Sequence, residues 1–337
     1  MRRRSDHPSD LNKAATGIGL TCRATQKGKI SLRHSPPKPH LHHSSASPWI
    51  GLQRQERFFE NDEIRNLLDR ARFYARAGVC IHFCGPAGLG KTSLALRLAE
   101  SLGRPVAFMA GNEWLSSRDF IGHEIGQSVS TVVDNYVHSV RRTEAETRAD
   151  WRDSALAGAM LHGYTFVYDE FTRASPEANS ILLSVLEEGV LVSTDPASPR
   201  SYLQAHPDFR IVLTSNPHDY VGVNGAPDAL LDRVVTLPLR APSERTMAGI
   251  VAMRSGLSEA QSKRIVALGS ALTPSGEEAP CSLRAAILIA RIAALKAREG
   301  GLTDAALEEI AADVLGGRGV RLPEGAIAAA LARGRAA

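Results

Sequence analysis

The sequence predicts an α/β domain, with a five-stranded parallel sheet flanked by helices, followed by a small all-α domain. Three observations carry this. Gly85, Pro86, Ala87, Gly88, Leu89, Gly90, Lys91 and Thr92 match the G-x-x-x-x-G-K-[ST] pattern of a phosphate-binding loop. The apolar run Thr165–Tyr168 ends in two adjacent acids, Asp169 and Glu170. Beyond Pro242 the strand pattern stops and only helical periodicity remains.

The phosphate-loop match stands in the context it requires. Val79–Cys84 reads as a buried strand. Ser93–Glu100 continues a helix, with Leu94, Ala95, Leu98, Ala99 and Leu102 on one face. Glycines let the loop backbone curl so that successive N–H groups face phosphate oxygens, and the helix adds its positive end. Lys91 would reach the β- and γ-phosphates, and the Thr92 hydroxyl would bind Mg²⁺. Ser93 closes the set of residues expected around the phosphates.

The other elements follow in order. After Asn61 as a start signal, Ile64, Leu67, Leu68, Ala71 and Ala75 have helical spacing, and Gly78 ends that helix. A second strand is expected over Pro105–Ala110. The charged stretch Arg141–Arg148 reads as an exposed helix, and Ala155–His162 leads into the third strand, Thr165–Tyr168. Acids at a strand's carboxyl end face the crevice where ligands of open α/β sheets bind. Asp169 is expected to help hold Mg²⁺, and Glu170 to act as general base on the attacking water. Ser175, Pro176 and Glu177 open a helix expected to run to Glu188 and stop at Gly189. Residues 189–209 read as a hairpin insert. A fourth strand, Ile211–Ser215, ends at Asn216 and Pro217. The Asn216 amide would bond the γ-phosphate or the attacking water; a turn or cap role is the alternative. A short helix, Asp228–Arg233, precedes the strand Val234–Leu239. Helices are expected near Ser243–Met253, Ser258–Leu272, Ser282–Arg298 and Thr303–Leu315, and Pro323 opens an Ala-rich one.

The charge is unevenly placed. The first fifty residues hold nine Lys or Arg against two Asp, whereas the rest carries 31 basic and 34 acidic residues. The basic excess therefore belongs to the leading segment, and no nucleic-acid binding is inferred from it. That segment, residues 1–48, lacks apolar periodicity and reads as a disordered basic tail. Its histidines suit a solvated tail or a metal, and an upstream-assigned start or a transit peptide would also account for it. No apolar run is long enough to cross a membrane. Cys22, Cys80, Cys84 and Cys281 lack paired metal-ligand spacing, with Cys80 and Cys84 in the first buried strand, which fits a reducing cytoplasm.

Taken together, these segments resemble the AAA+ ATPases of the MoxR type over roughly Glu56–Arg298. Gly85–Thr92 looks like Walker A, Phe166–Glu170 like Walker B, and Asn216 like sensor 1. Leu231-Asp232-Arg233 resembles the segment carrying the arginine finger, and Ser282-Leu283-Arg284 resembles sensor 2. Arg173 matches a position often basic in the group. Within it, the likeness is to the GvpN family of gas vesicle proteins, carried by Val133–Val140, Val167–Arg173, Pro176–Asn179, Leu183–Gly189 and Thr214–Pro217. Leu89 departs from the Thr common in relatives without touching the loop backbone.

The resemblance implies a P-loop AAA+ fold, with an α/β domain over 49–242 and a helical lid over 243–337. It implies ATP and Mg²⁺, a homo-oligomeric ring (a hexamer), and gas vesicle shell or accessory proteins as partners of a cytoplasmic, vesicle-associated protein. Arg233 would reach the neighbour's ATP, or else serve as a surface ion-pair partner. Arg284 would report the γ-phosphate to the lid, or else be a solvated first-turn residue. The functions implied are an ATP-hydrolysing gas vesicle assembly factor, a MoxR-like chaperone activating a metalloenzyme such as a nitric oxide reductase or a carboxylase, or a non-hydrolysing component of the shell.

Overall fold

A computed structural model describes residues 58–134, 142–193, 195–196, 198–216, 228–271, 282–316 and 325–336. The tail 1–48, residues 135–141, Pro217, Pro323, Cys22 and Cys281 lie outside the described residues.

Helix α1 (Asp62–Arg76) opens where the Asn61 side chain accepts a hydrogen bond from the Ile64 N–H. There follow β1 (Cys80–Cys84), α2 (Lys91–Ser101), β2 (Val106–Ala110), α3 (Ser117–Ile121), β3 (Gly122–Asp134), β4 (Arg142–Asp153), α4 (Ala155–His162) and β5 (Thr165–Asp169). Next come α5 (Pro176–Asn179), α6 (Ile181–Glu187), β6 (Val190–Val192), β7 (Tyr202–Gln204), β8 (Arg210–Ser215), α7 (Asp228–Leu231) and β9 (Val234–Pro238). The last helices are α8 (Glu244–Ser255), α9 (Glu259–Ala271), α10 (Leu283–Glu299), α11 (Asp304–Gly316) and α12 (Ala326–Ala336).

Five strands form one parallel sheet in the order β2-β5-β8-β1-β9. The expected α/β sheet is therefore present, with strand bounds within a residue of those read from the apolar runs. Alternation sorts each strand between two cores. Ile81, Phe83, Val167, Val212 and Leu237 pack with α1 and α2 on one face. Cys80, Phe166, Tyr168, Ile211 and Leu213 pack with α4, α5 and α6 on the other. Burial on both faces is why these strands read as nearly continuous apolar runs. Because the sheet is parallel, the carboxyl ends of β1, β5 and β8 share one edge, and the residues after Cys84, Tyr168 and Ser215 meet there.

Three expectations are corrected. Arg141–Arg148 was expected as an exposed helix, but Arg142–Asp153 is strand β4, paired antiparallel with β3 from Gly122↔Asp153 to Asp134↔Arg142. Charged residues fall at every second position from Arg142 to Arg152, the period of a strand rather than a helix. The helix expected over 176–188 is two, α5 and α6, meeting at Ser180. There Asn179 is buried, donating to the Phe171 carbonyl at 2.9 Å and accepting from the Tyr168 hydroxyl at 3.1 Å. Cys84 is only half-buried, while Cys80 is buried and burial pushes its thiol pKa up. The hairpin expected over 189–209 is β6 paired with β7.

Helices α8 to α12 enclose their own apolar cluster, including Val251, Ile265, Leu268, Ile289, Ala293, Leu307 and Leu315. Ile250 packs against both this cluster and the one beneath α1 and α2. The Ser282 side chain caps α10 by accepting from the Ala285 N–H, which sets Arg284 in the first turn. Among the described residues no helix is long and apolar enough to cross a membrane.

Candidate active site

The loop 85–90 leaves β1 at the shared edge. Its Gly85 N–H donates to the Ser215 carbonyl, and the Leu239 N–H donates to the Cys84 carbonyl, so neighbouring strands hold its base. A Cβ at Gly85 would lie 2.9 Å from the Leu239 carbonyl oxygen, so a side chain would push the loop off the sheet. Gly90 caps α2 at φ +83, the left-handed conformation that other residues adopt only with strain. Lys91 is buried at the head of α2, its ammonium donating to the carbonyls of Gly85 (2.7 Å) and Pro86 (2.8 Å).

The start of α2 and the ends of β5 and β8 converge on one carboxylate. Asp169 accepts from the Thr92 hydroxyl at 2.8 and 2.9 Å and from the Thr214 hydroxyl at 2.5 Å. Thr214 in turn accepts the Glu170 N–H at 2.9 Å. Glu170 lies at φ +51, the one non-glycine residue at positive φ among the described residues. Such a conformation costs of order 1 kcal/mol and persists where its surroundings impose it. Its carboxylate pairs with the Arg173 Nε at 2.9 Å.

Lys91, Thr92, Glu170, Arg173, Asn216 and Arg284 all line one cavity of about 580 Å³, together with Ala87–Gly90 and Ser93 of the loop. Gly85, Pro86 and Asp169 sit at its base through the bonds just described. Arg233 does not line it. Its guanidinium pairs with Glu187 at 2.9 and 3.2 Å and donates to the Ala229 carbonyl at 2.6 Å.

The far end of the cavity escaped the sequence reading. Phe58, Phe59, Ile64 and Leu67 line it from one side, and Ile250, Met253, Leu283 and Ile287 from the other. These residues are scattered over 230 positions, and most have ordinary helical spacing, so they read as core. The adjacent Phe58 and Phe59 were the available signal. Arg97 fixes that pair by bonding Glu60 at 3.2 Å and lying 5.6 Å over the Phe58 ring. Beside them, burial works against the Glu63 carboxylate, but hydrogen bonds from Thr246 and Ser243 outweigh it and hold its pKa below the ordinary value. His82 was also missed. It is 1% exposed beneath the loop, with Nδ1 3.0 Å from the Thr236 hydroxyl and Nε2 2.8 Å from the Ser215 hydroxyl.

The cavity therefore joins a glycine-rich loop at a helix start, hydroxyl and carboxylate oxygens and an apolar slot. That combination accepts a nucleoside triphosphate.

Comparison with known proteins agrees. Residues 81–234 match the family model described as AAA domain (dynein-related subfamily). The gas vesicle ATPase GvpN of Ancylobacter aquaticus is 38% identical over 262 residues, covering 77% of this chain and 73% of that protein. The gas vesicle ATPase GvpN of Haloferax mediterranei is 38% identical over 59% of this chain and 58% of that one. Among solved structures, NtrX from Brucella abortus in complex with ADP shares the fold, with a TM-score of 0.50, 15% identity and coverage of 79% of this chain and 57% of that one. With that identity over most of both chains, and a phosphate loop set in a five-stranded parallel sheet, the chain belongs to the gas vesicle ATPase GvpN family, MoxR-type members of the AAA+ ATPases.

Proposed function

We propose that this ATPase hydrolyses ATP to drive the assembly of gas vesicles, acting on shell or accessory proteins as a homo-oligomeric ring, a hexamer. The observation that carries the catalytic part is the hydrogen bond between Thr92 and Asp169 at the base of a cavity that Lys91, Thr92, Glu170 and Asn216 line. The organelle comes from the 38% identity to a protein named for it.

The triphosphate lies along the amides of Gly85–Thr92, with the Lys91 ammonium turned to the β- and γ-phosphates. Thr92 and Asp169 offer hard oxygen donors on one side of the cradle, a set that fits Mg²⁺, which when bound would neutralise charge on the phosphates. Glu170 accepts the proton of the attacking water, and Asn216 orients that water or the γ-phosphate. The apolar slot takes the base, and Phe59 is its wall. Helices α8–α12 serve as the lid, with Arg284 contacting the γ-phosphate. Arg233, outside its own cavity, serves the ATP of the neighbouring subunit. The metalloenzyme-activating alternative lacks a comparable supporting observation.

The test is Glu170→Gln. ATP affinity should stay within about twofold while turnover falls about 10²–10⁴-fold, the range for loss of a general base. In a host lacking the gene, the wild type should restore buoyancy and vesicle width and the variant should not. Buoyancy restored by Glu170→Gln would show that hydrolysis is not what the organelle needs.

A further inference from the structure

We infer that His82 is a positioning residue for ATP turnover, its imidazole locking together three adjacent strands, two of which, β1 and β8, deliver the phosphate loop and Asn216. This rests on the reading of the site given above. His82 stands on β1, three residues before Gly85. On one side it bonds Ser215, the residue before Asn216; on the other it bonds Thr236 of β9, the strand that leads to Leu239 beside Gly85. Its ring also meets Phe171 edge-on, with centroids 5.3 Å apart, and Phe171 follows Glu170. One side chain thus touches the immediate neighbours of the water-orienting amide and of the general base.

The choice of residue is informative. The other inward positions on this face of the sheet are filled by Cys80, Phe166, Tyr168, Ile211 and Leu213. An apolar side chain at 82 would satisfy the core without a buried polar group to accommodate. Histidine instead supplies two directional bonds in the plane of the strand ends. Burial pushes its pKa down to about 4, so near neutrality it is an uncharged ring with one donor and one acceptor. Ser215 is the last residue of β8 paired with β1, so its bond to His82 is the last side-chain tie to β1 before the chain leaves the sheet for Asn216. The Ser215 hydroxyl faces His82 while the adjacent Thr214 hydroxyl holds Asp169 and Glu170 on the opposite face. A loosened Ser215 would therefore tilt Asn216 and the carboxylates together, and small misplacements of this kind cost up to about 10²-fold in rate.

The experiment is steady-state ATP hydrolysis by the full chain carrying His82→Phe, His82→Gln and Ser215→Ala, with Glu170→Gln in parallel. His82→Phe keeps a ring against Phe171 and removes both bonds; kcat should fall about tenfold with the KM for ATP within about twofold. His82→Gln, which retains amide hydrogen bonding, should recover most of the loss. Ser215→Ala should lower kcat about threefold with KM unchanged, and it decides the matter if His82→Phe does not fold. Wild-type kcat in the folded variants, or a lowered Tm with kcat and KM unmoved, would overturn the inference. If Glu170→Gln is inactive while these variants keep wild-type turnover, only the role of His82 fails. If Glu170→Gln turns over normally, the site reading itself fails.

Discussion

The two ends of the cavity are held by different forces. At the phosphate end, Thr92, Asp169, Thr214 and Glu170 are joined by hydrogen bonds between the start of α2 and the ends of β5 and β8, and Lys91 is held by the carbonyls of Gly85 and Pro86. At the base end, the walls are mostly apolar side chains from segments far apart in sequence, around α1, α8 and α10, brought together by packing, with Glu63 of α1 tied to Ser243 and Thr246 at the start of α8. Hydrogen-bonded groups on a rigid sheet keep their geometry whether or not ligand is present, which suits charge stabilisation. Packed helices offer area and shape, which suits affinity, and they can shift as a unit when the ligand changes. Substitutions at the two ends should therefore separate into effects on rate and effects on binding.

The largest test of that division is Arg233→Ala. Arg233 lies outside its own cavity, so ATP affinity should hold while kcat falls by about 10³ or more, as for a finger supplied in trans. Mixing Arg233→Ala with Lys91→Ala subunits should restore part of the turnover, because mixed rings contain intact pairs. Mixtures as inactive as either parent would break the idea that the site is completed by a second copy.

The next effect is on stability. The ring of His82 titrates near 4 in the folded chain because burial penalises its charged form, and near 6.5 when unfolded. Between these values only the unfolded chain takes up the proton. Its contribution is thus complete above about pH 6.5 and is lost as pH falls towards 4, by about 2 kcal/mol between pH 7 and pH 5. Urea unfolding at the two pH values should show this drop, and His82→Gln should remove that share of it. Equal pH dependence in the two proteins would mean the histidine is not held neutral.

The smallest effect belongs to the base end. A methyl at Gly249 would run into the Phe59 ring. Gly249→Ala should displace that wall and raise the KM for ATP about tenfold with kcat nearly unchanged, measured by hydrolysis and by nucleotide titration. A fall in kcat with KM fixed would erase the distinction between the two ends.

Much of this architecture is local and therefore written in the chain. A phosphate loop needs small residues at set positions, so Gly85–Thr92 announces itself, as does a fully buried strand ending in Asp169 and Glu170. Caps at Asn61, Ser175 and Ser282 mark helix starts for the same reason: each side chain accepts the N–H three residues on. The β3–β4 ribbon is legible in the period-two alternation of Arg142–Arg152, although the density of charge there also suits an exposed helix.

What the tertiary structure alone decided is which distant residues meet. Strand order β2-β5-β8-β1-β9 puts Ser215 and Thr236 on either side of His82, and neither neighbour can be told from sequence spacing. Likewise Phe59, Ile250 and Leu283 share a cavity only because helices from three parts of the chain converge on it. Short-range rules of backbone conformation and side-chain capping act within a few residues, whereas pairing order and packing join groups with no fixed separation along the chain.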